Sequence, residues 1–461
     1  MKNLPLLLLG GATLASGAVA AAETEQPNVV ILFVDDLGWA DLGYNNPKFE
    51  TPNIDQLQKD GMYFRRAYVS TATSSPSRSS LITGKEALRC GFTRHIYGPD
   101  SDKVGHPGNG EFELLAADPG QLYSRAYLQD HEITYAERLK ENGYYTYFAG
   151  KWHLGENDRG PATQGFDEVW ASNSYGSPSN YIAPFFKTEN FFPDVTPGEG
   201  YLTNMITDGV VDFVKNYDKP EPFLLNYWYY NVHSPHIGRP DLVEKYLKAG
   251  LSKTDAIYAA QVTSVDESVG RIRKAIADKG LADNTIFIFT SDQGGAYQNA
   301  HLRGGKIGGD TLGEGGSRVS MIVYAPGMEG MGTTFESPVQ TLDIYPTIVE
   351  MASGKKCKDK QIQGVSLVSV LDGGKLKDRD LFMHRSYEDQ NSVIMNGDWK
   401  LIRYRSGKVQ LYNLKDDESE TTDLSKSNPK MADAMFKRLV KWQLEATPKE
   451  IISTVPVGET R

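Results

Sequence analysis

Asn28-Val29-Val30-Ile31-Leu32-Phe33-Val34, followed at once by Asp35-Asp36-Leu37-Gly38, is the stretch that decides the fold. A short, unbroken apolar run without polar alternation suits a strand buried on both faces of a parallel sheet. Ligand sites in open α/β sheets gather at the carboxyl ends of strands, so two adjacent carboxylates there are placed for chemistry. Hard divalent cations take several carboxylate and carbonyl oxygens. The plainer alternative is a turn carrying an Asp helix cap.

The same pattern recurs. Thr285 to Ser291 (TIFIFTS) reads as a strand and ends in Asp292-Gln293-Gly294-Gly295. Two such pairs from two strands would offer a metal ion four protein ligands, Asp35, Asp36, Asp292 and Gln293. Tyr144 to Ala149 runs into Gly150-Lys151-Trp152-His153-Leu154-Gly155. Alternation along an extended chain puts Lys151 and His153 on one side, an oxyanion clamp beside a proton carrier; a surface lysine and a core histidine are the alternative. Phe223 to Val232 is a further buried strand and ends at His233-Ser234-Pro235-His236. His233 there suits a general acid for a leaving oxygen, or a histidine bonded at the sheet edge. In Arg303-Gly304-Gly305-Lys306 the glycines allow close backbone approach, and Lys306 either contacts an anion or lies exposed in a turn.

Ser74-Ser75-Pro76-Ser77-Arg78 opens the run Ser79-Ser80-Leu81-Ile82-Thr83-Gly84. A proline fits the first turn of a helix. The first N–H groups of that helix lack intrahelical partners and attract an anion. Ser74 then stands where an oxyanion is held, with Arg78 reaching back as a forked, permanent cation. A polar loop capping a helix is the simpler reading.

Helices are expected from Thr51 to near Gly61, from the Thr134–Glu137 capping box to Gly143, from Thr203 to Tyr217, from Asp255 to Asp278, and from Leu342 to Met351 with an interruption at Pro346. Tyr63 to Val69 reads as a strand. Residues 95 to 130, with His95, His106 and Arg125, read as a long loop able to carry substrate selectivity. Residues 171 to 200 form a second loop whose aromatics either floor a sugar site or make a satellite hydrophobic cluster. From Arg379 the texture changes to short strands and turns, with a hairpin across Ser406-Gly407 and a final helix from Pro429 to Glu445.

These elements predict an α/β protein: a large, mixed, mostly parallel sheet flanked by helices, and a smaller C-terminal α+β subdomain on an antiparallel sheet. The expected division is a signal peptide over 1–22, a main domain over 23–375 and a subdomain over 376–461. Lys2, the apolar Leu6 to Leu9 and the A-x-A pattern Ala18-Val19-Ala20 are the marks of an export signal, so a periplasmic or secreted protein is expected. The apolar segment is too short for a membrane span. With 461 residues and a net charge of −10, both signs scattered, the chain carries no basic footprint for nucleic acid. Cys90 and Cys357 are the two cysteines; they either pair or remain separate thiols.

In order, these motifs resemble the type I sulfatase family of the alkaline phosphatase superfamily across nearly the whole mature chain. Asp35 to Trp39 is similar to its DDLGWGD opening, and Ser74 to Arg78 to its Cys/Ser-x-Pro-Ser/Ala-Arg signature. Gly150 to Gly155 matches GKWHLG without a change, and His233 to His236 is similar to HxPH. Thr290 to Gly294 resembles TSDNG, Arg303 to Lys306 with Glu314 to Val319 resembles LRGGK and EGGxRVP, and Leu411 to Asp417 resembles the ELYNLxxDPxE ending.

The resemblance implies a sulfuric ester hydrolase acting on sulfated carbohydrates. It implies Ca2+ held by Asp35, Asp36, Asp292 and Gln293. It implies that a maturase converts Ser74 to formylglycine, whose hydrate attacks sulfur. By position Arg78, Lys151 and Lys306 would stabilise the nucleophile and the sulfate oxygens. His233, with Lys306, would protonate the leaving alcohol, and His153 would help expel sulfate. Two departures bear on chemistry: Ser74 replaces the commoner Cys and calls for a serine-competent maturase, and Gln293 replaces Asn with one more methylene. The rival readings are a phosphomonoester or phosphodiester hydrolase of the same superfamily, and a sulfated-glycan binding protein with unmodified Ser74.

Overall fold

Asn28–Val34 lies at the heart of a nine-stranded sheet in the computed structural model, which describes residues 26–96, 104–105, 112–114, 122–187, 191–299, 301–307, 309–386 and 390–452. In this strand, β1, every residue is buried. Its side chains part by alternation: Val30, Leu32 and Val34 enter one core cluster, while Val29, Ile31 and Phe33 enter another on the opposite face. Each such side chain contributes roughly 1.5–3 kcal/mol when fully buried, so an unbroken apolar run is what a central strand of a covered sheet requires.

In chain order the elements that build this domain are α1 (Pro52–Asp60), β2 (Met62–Tyr68), α2 (Ser74–Thr83), α3 (Tyr135–Glu141), β3 (Tyr145–Lys151), β4 (Glu168–Asn173), α4 (Leu202–Asn216), β5 (Phe223–Trp228), α5 (Pro240–Lys248), α6 (Lys253–Asp278), β6 (Thr285–Ser291), β7 (Arg318–Tyr324), β8 (Thr334–Phe335), β9 (Val339–Gln340) and α7 (Ile344–Ser353). The sheet order is β8-β2-β7-β6-β1-β5-β3-β4, with β9 also on β2. β1 is parallel to β5 and β6, and β3 to β5 and β4. Only β7 runs against its neighbours, β2 and β6. The carboxyl ends of β1, β2, β3, β5 and β6 therefore open on one edge. The glycine-rich segment before β7 enters the sheet at that same edge. Residues of α4 and α6 cover one face; those of α2, α3 and α7 cover the other.

A second, antiparallel sheet follows: β10 (Asp380–His384), β11 (Gln390–Asn396), β12 (Trp399–Tyr404) and β13 (Val409–Asn413). α8 (Pro429–Ala446) packs Met435, Leu439 and Trp442 on Ile394, Leu401 and Leu411. The other face of this sheet meets Tyr68, Ala72 and Leu312 of the first domain. Lys400 joins the two parts by a buried ion pair to Glu314 at 2.9 Å and another to Glu420 at 3.0 Å. The His384 N–H donates to the Ser70 carbonyl at 3.2 Å, fixing the end of β10 beside the segment that leads to Ser74.

Local departures from the sequence expectations have plain causes. Pro346 falls in the first turn of α7, where its missing N–H costs nothing, so the helix is not interrupted. Residues 95 to 130 include a small antiparallel sheet of Val104–Gly105, Phe112–Leu114 and Ser124–Arg125, strands too short to leave a period in the sequence. Tyr181, Phe185, Phe186 and Phe192 lie in the main core cluster rather than on a sugar platform. Cys90 is buried, Cys357 half-buried, and the two are not bonded. Among the described residues no helix is long and apolar enough to cross a membrane. The expected signal peptide and His106 lie outside the described residues.

Candidate active site

The carboxylates at the ends of β1 and β6 meet. One oxygen each of Asp35, Asp36 and Asp292 lie within 4.8 Å of one another, and all three residues are buried. The Asp36 N–H donates to Asp292 Oδ1 at 3.0 Å. Asp36 adopts a left-handed backbone, φ 61°, a conformation short polar residues tolerate best. The two neighbouring carboxylates then take different cations: Asp35 pairs with Lys151 Nζ and Asp36 with Lys306 Nζ.

Arg78, in the second turn of α2, is the third cation. Its Nη2 donates to Asp292 Oδ2 at 2.9 Å and its Nη1 to the Lys151 carbonyl at 3.1 Å. The guanidinium packs beside the edge-to-face pair of Phe33 and Trp228, 5.3 and 5.4 Å from their centroids. Burial pushes the Asp35 carboxyl up most strongly, but Lys151, His233 and Arg78 together hold it below its ordinary value. Asp36 behaves likewise with Lys306. Burial, joined by the charge of Asp35, raises Asp292. Lys151 is lowered by burial, against the pull of Asp35. Lys306 is raised, because the carboxylates of Asp36 and Asp35 overcome its burial.

Ser74 is the first residue of α2. Its Oγ lies 3.5 Å from Asp35 Oδ1 and 3.3 Å from Gln293 Nε2. Gln293 Nε2 also donates to Asp36 Oδ1, which leaves Gln293 Oε1 buried without a hydrogen-bond partner. β3 ends at Lys151, and His153 sits beyond it at φ 54°. The pair reaches the site through a left-handed residue rather than through strand alternation alone. His153 Nε2 is 3.1 Å from the Ile96 carbonyl and Nδ1 is buried without a partner. Burial, with Lys151 and Arg78 adding to it, drives this imidazole well below its ordinary value, so it is neutral. Nε2 therefore carries the hydrogen donated to Ile96, and Nδ1 keeps its lone pair. His233 Nε2 is 3.7 Å from Asp36 Oδ2.

All ten residues singled out in the sequence converge here. Above them opens a cavity of about 460 Å³, lined by Ser74, His153, His233, Gln293 and Lys306, and also by His95, Ile307 and Arg385. His95 stood in the sequence only as one polar residue of a long loop. Arg385 carried no signal, since nothing in the spacing of short C-terminal strands says that one of them ends over Ser74.

The sulfatase family profile matches residues 27–354. The chain belongs to the sulfatase family. A second profile, described as N-sulphoglucosamine sulphohydrolase, C-terminal, matches residues 311–447. This sulfatase is 31% identical over 402 residues to the N-acetylgalactosamine-6-sulfatase of Homo sapiens, spanning 80% of this chain and 70% of that one. It is 30% identical over 515 residues to a sulfatase of Formosa agariphila, spanning 93% and 90%. Among solved structures, Ps i-CgsB in complex with k-i-k-neocarrahexaose superposes with a TM-score of 0.78 at 28% identity, covering 93% of this chain and 96% of that one. The chain is a sulfuric ester hydrolase, and the phosphate-ester reading gives way to it.

Proposed function

We propose that this chain is an exported sulfatase that removes sulfate from carbohydrates, using formylglycine formed from Ser74 and one calcium ion. The observation that carries the reading is the position of Ser74: first residue of α2, on the cavity floor, within reach of the groups a sulfate ester needs. Such an ester has charge on its non-bridging oxygens and a poor alcohol leaving group, so it calls for cations and a proton donor. The carbohydrate class draws on the relatives, one called an N-acetylgalactosamine-6-sulfatase and one crystallised with a neocarrahexaose. Residues 23–375 would form the catalytic domain and 376–461 the subdomain, with 1–22 directing export.

The site suits both groups. Among the described residues the Ser74 hydroxyl makes only long hydrogen bonds, 3.3 and 3.5 Å, so its conversion to an aldehyde costs the fold little, and Arg78, Lys151 and Lys306 surround the place where negative oxygen would sit. Three buried carboxylates and an orphaned amide oxygen, which a half-turn of the Gln293 amide would direct toward them, form the hard-oxygen donor set of calcium. Formylglycine supplies a hydrated aldehyde oxygen as the nucleophile toward sulfur. Calcium, held by Asp35, Asp36, Asp292 and Gln293, would supply positive charge to the site.

The remaining work falls to the chain's own side chains. Arg78 fixes Asp292 and the end of β3 against α2. Lys151 and Lys306 turn their ammonium groups from the carboxylates to the sulfate. His233, at the cavity wall, donates a proton to the departing alcohol oxygen. His153, held neutral with its Nδ1 lone pair unpartnered, would be the proton acceptor of the site.

Chelation gives one expected result. EGTA treatment should lower the thermal midpoint and Ca2+ should restore it, since a ligand at one hundred times its Kd stabilises the native state by about 2.7 kcal/mol. A midpoint indifferent to EGTA and Ca2+ would remove calcium from the site. The deciding experiment is peptide mass spectrometry on protein from its native host, read beside turnover of 4-nitrocatechol sulfate. Formylglycine at position 74 lacks two hydrogens of serine, a loss of about 2 Da, and calls for a serine-competent maturase. Unmodified serine with no turnover would favour the glycan-binding reading.

A further inference from the structure

Arg303-Gly304-Gly305-Lys306 ends in a lysine of the site, but the chemistry above gives Arg303 no work. Two glycines carry no side chain to pack, so the place of Lys306 depends on how the chain is fastened on either side of it. Gly304 is left-handed at φ 78°, and a Cβ on it would lie 1.9 Å from the Asp310 carbonyl oxygen. The Lys306 N–H donates to the Gly295 carbonyl at 3.0 Å, and the Arg303 carbonyl accepts from the Gly315 N–H at 2.7 Å. The Arg303 side chain reaches further. Its Nε and Nη2 donate to the two carboxylate oxygens of Asp310 at 3.0 and 2.9 Å. Its Nη1 donates to the Tyr412 hydroxyl at 2.7 Å, and Nη2 to the Tyr404 hydroxyl at 2.8 Å. Tyr404 closes β12 and Tyr412 lies in β13, so one guanidinium ties the turn before Lys306 to the C-terminal sheet. The same sheet sends Lys400 to Glu314, whose next residue, Gly315, holds the Arg303 carbonyl.

Resting on the proposed role of Lys306 above, we propose that Arg303 is a positioning residue: anchored on Tyr404 and Tyr412, it sets where the Lys306 ammonium meets the sulfate oxygens. The C-terminal sheet then takes part in the reaction through the placement of Lys306. A displacement on the order of 1 Å of a group that must meet its target can cost about 100-fold in rate, so hydrogen bonds made by a neighbour in the same turn are able to govern it.

The test is a double-mutant cycle with Lys306→Ala on the matured, calcium-loaded enzyme. The dissociation constant of inorganic sulfate is measured by calorimetry beside kcat and KM for 4-nitrocatechol sulfate. Arg303→Gln should weaken sulfate binding and lower kcat/KM by about tenfold each, within the range of coupling between residues that share a backbone segment. In the Lys306→Ala background the same change should cost less than about twofold, because the group it positions is gone. Tyr404→Phe with Tyr412→Phe, which leaves the pair with Asp310 in place, should cost about fivefold in the parent and again less than about twofold without Lys306. Arg303→Lys cannot reach Asp310 and both tyrosines at once, and should fall between the parent and Arg303→Gln. If the thermal midpoint shows that Arg303→Gln has not folded, the paired tyrosine variant decides. Equal losses with and without Lys306, or a lowered midpoint with sulfate binding and kcat/KM unchanged, overturn the inference and reduce Arg303 to a brace between the two domains. Failure of the parent on 4-nitrocatechol sulfate and on every sulfated sugar, with the cycle in sulfate binding intact, overturns the sulfatase reading and not the inference.

Discussion

Ser74→Ala is expected to fold as the parent does and to lose sulfate-ester hydrolysis by a factor on the order of 10⁴ or more. Two facts separate stability from activity at this position. The Ser74 hydroxyl contacts Gln293 Nε2 and Asp35 Oδ1 only at 3.3 and 3.5 Å, so its removal costs about 1 kcal/mol or less. The same oxygen is the one the proposed reaction directs at sulfur. The check is kcat for 4-nitrocatechol sulfate beside a thermal melt. Turnover within tenfold of the parent would show that residue 74 is not the nucleophile. Loss of turnover together with a large drop in midpoint would mean that the hydroxyl braces the site rather than reacting.

Arg78→Ala is expected to act on both quantities. The guanidinium is fully buried and pairs with Asp292, itself fully buried. Taking one partner from a buried ion pair leaves an unpaired charge and costs about 3–5 kcal/mol. The contact of the planar group with Phe33 and Trp228 is also lost, and the Lys151 carbonyl loses a donor. Arg78→Lys should recover part of the stability, because one ammonium can answer Asp292 but cannot fork to the Lys151 carbonyl. Urea unfolding of the three proteins measures this directly. A midpoint for Arg78→Ala equal to that of the parent would mean that Asp292 has another counter-charge. Activity should be lost in the alanine variant whatever its stability, since the base of α2 and the end of β3 are then no longer tied together.

Much of this was legible in the chain. The run at β1 and its echo at β6 gave away buried parallel strands, because a strand covered on both faces must be apolar at consecutive positions. The acidic pairs that follow were legible because a strand end is where a parallel sheet exposes its ligands. Alternation accounts for Lys151 and His153 only in part: it ends with β3, and the left-handed His153 completes the approach. The pairing of Asp35 with Lys151 and of Asp36 with Lys306 was not legible, nor was the contact of Arg78 with Phe33 and Trp228. Arg385 was invisible, since its place over the cavity comes from how the C-terminal sheet docks on Tyr68 and Ala72.

The strands, their acidic ends and the helix that begins at Ser74 follow from side-chain periodicity and local backbone chemistry, and so can be read along the chain. Which charges meet depends on the folding of distant segments together. Asp36 and Asp292 are 256 residues apart in the chain, and their contact exists because β1 and β6 lie side by side in the sheet. In a buried site a charge takes its protonation state from its neighbours in space, and strand order, not spacing along the chain, chooses those neighbours.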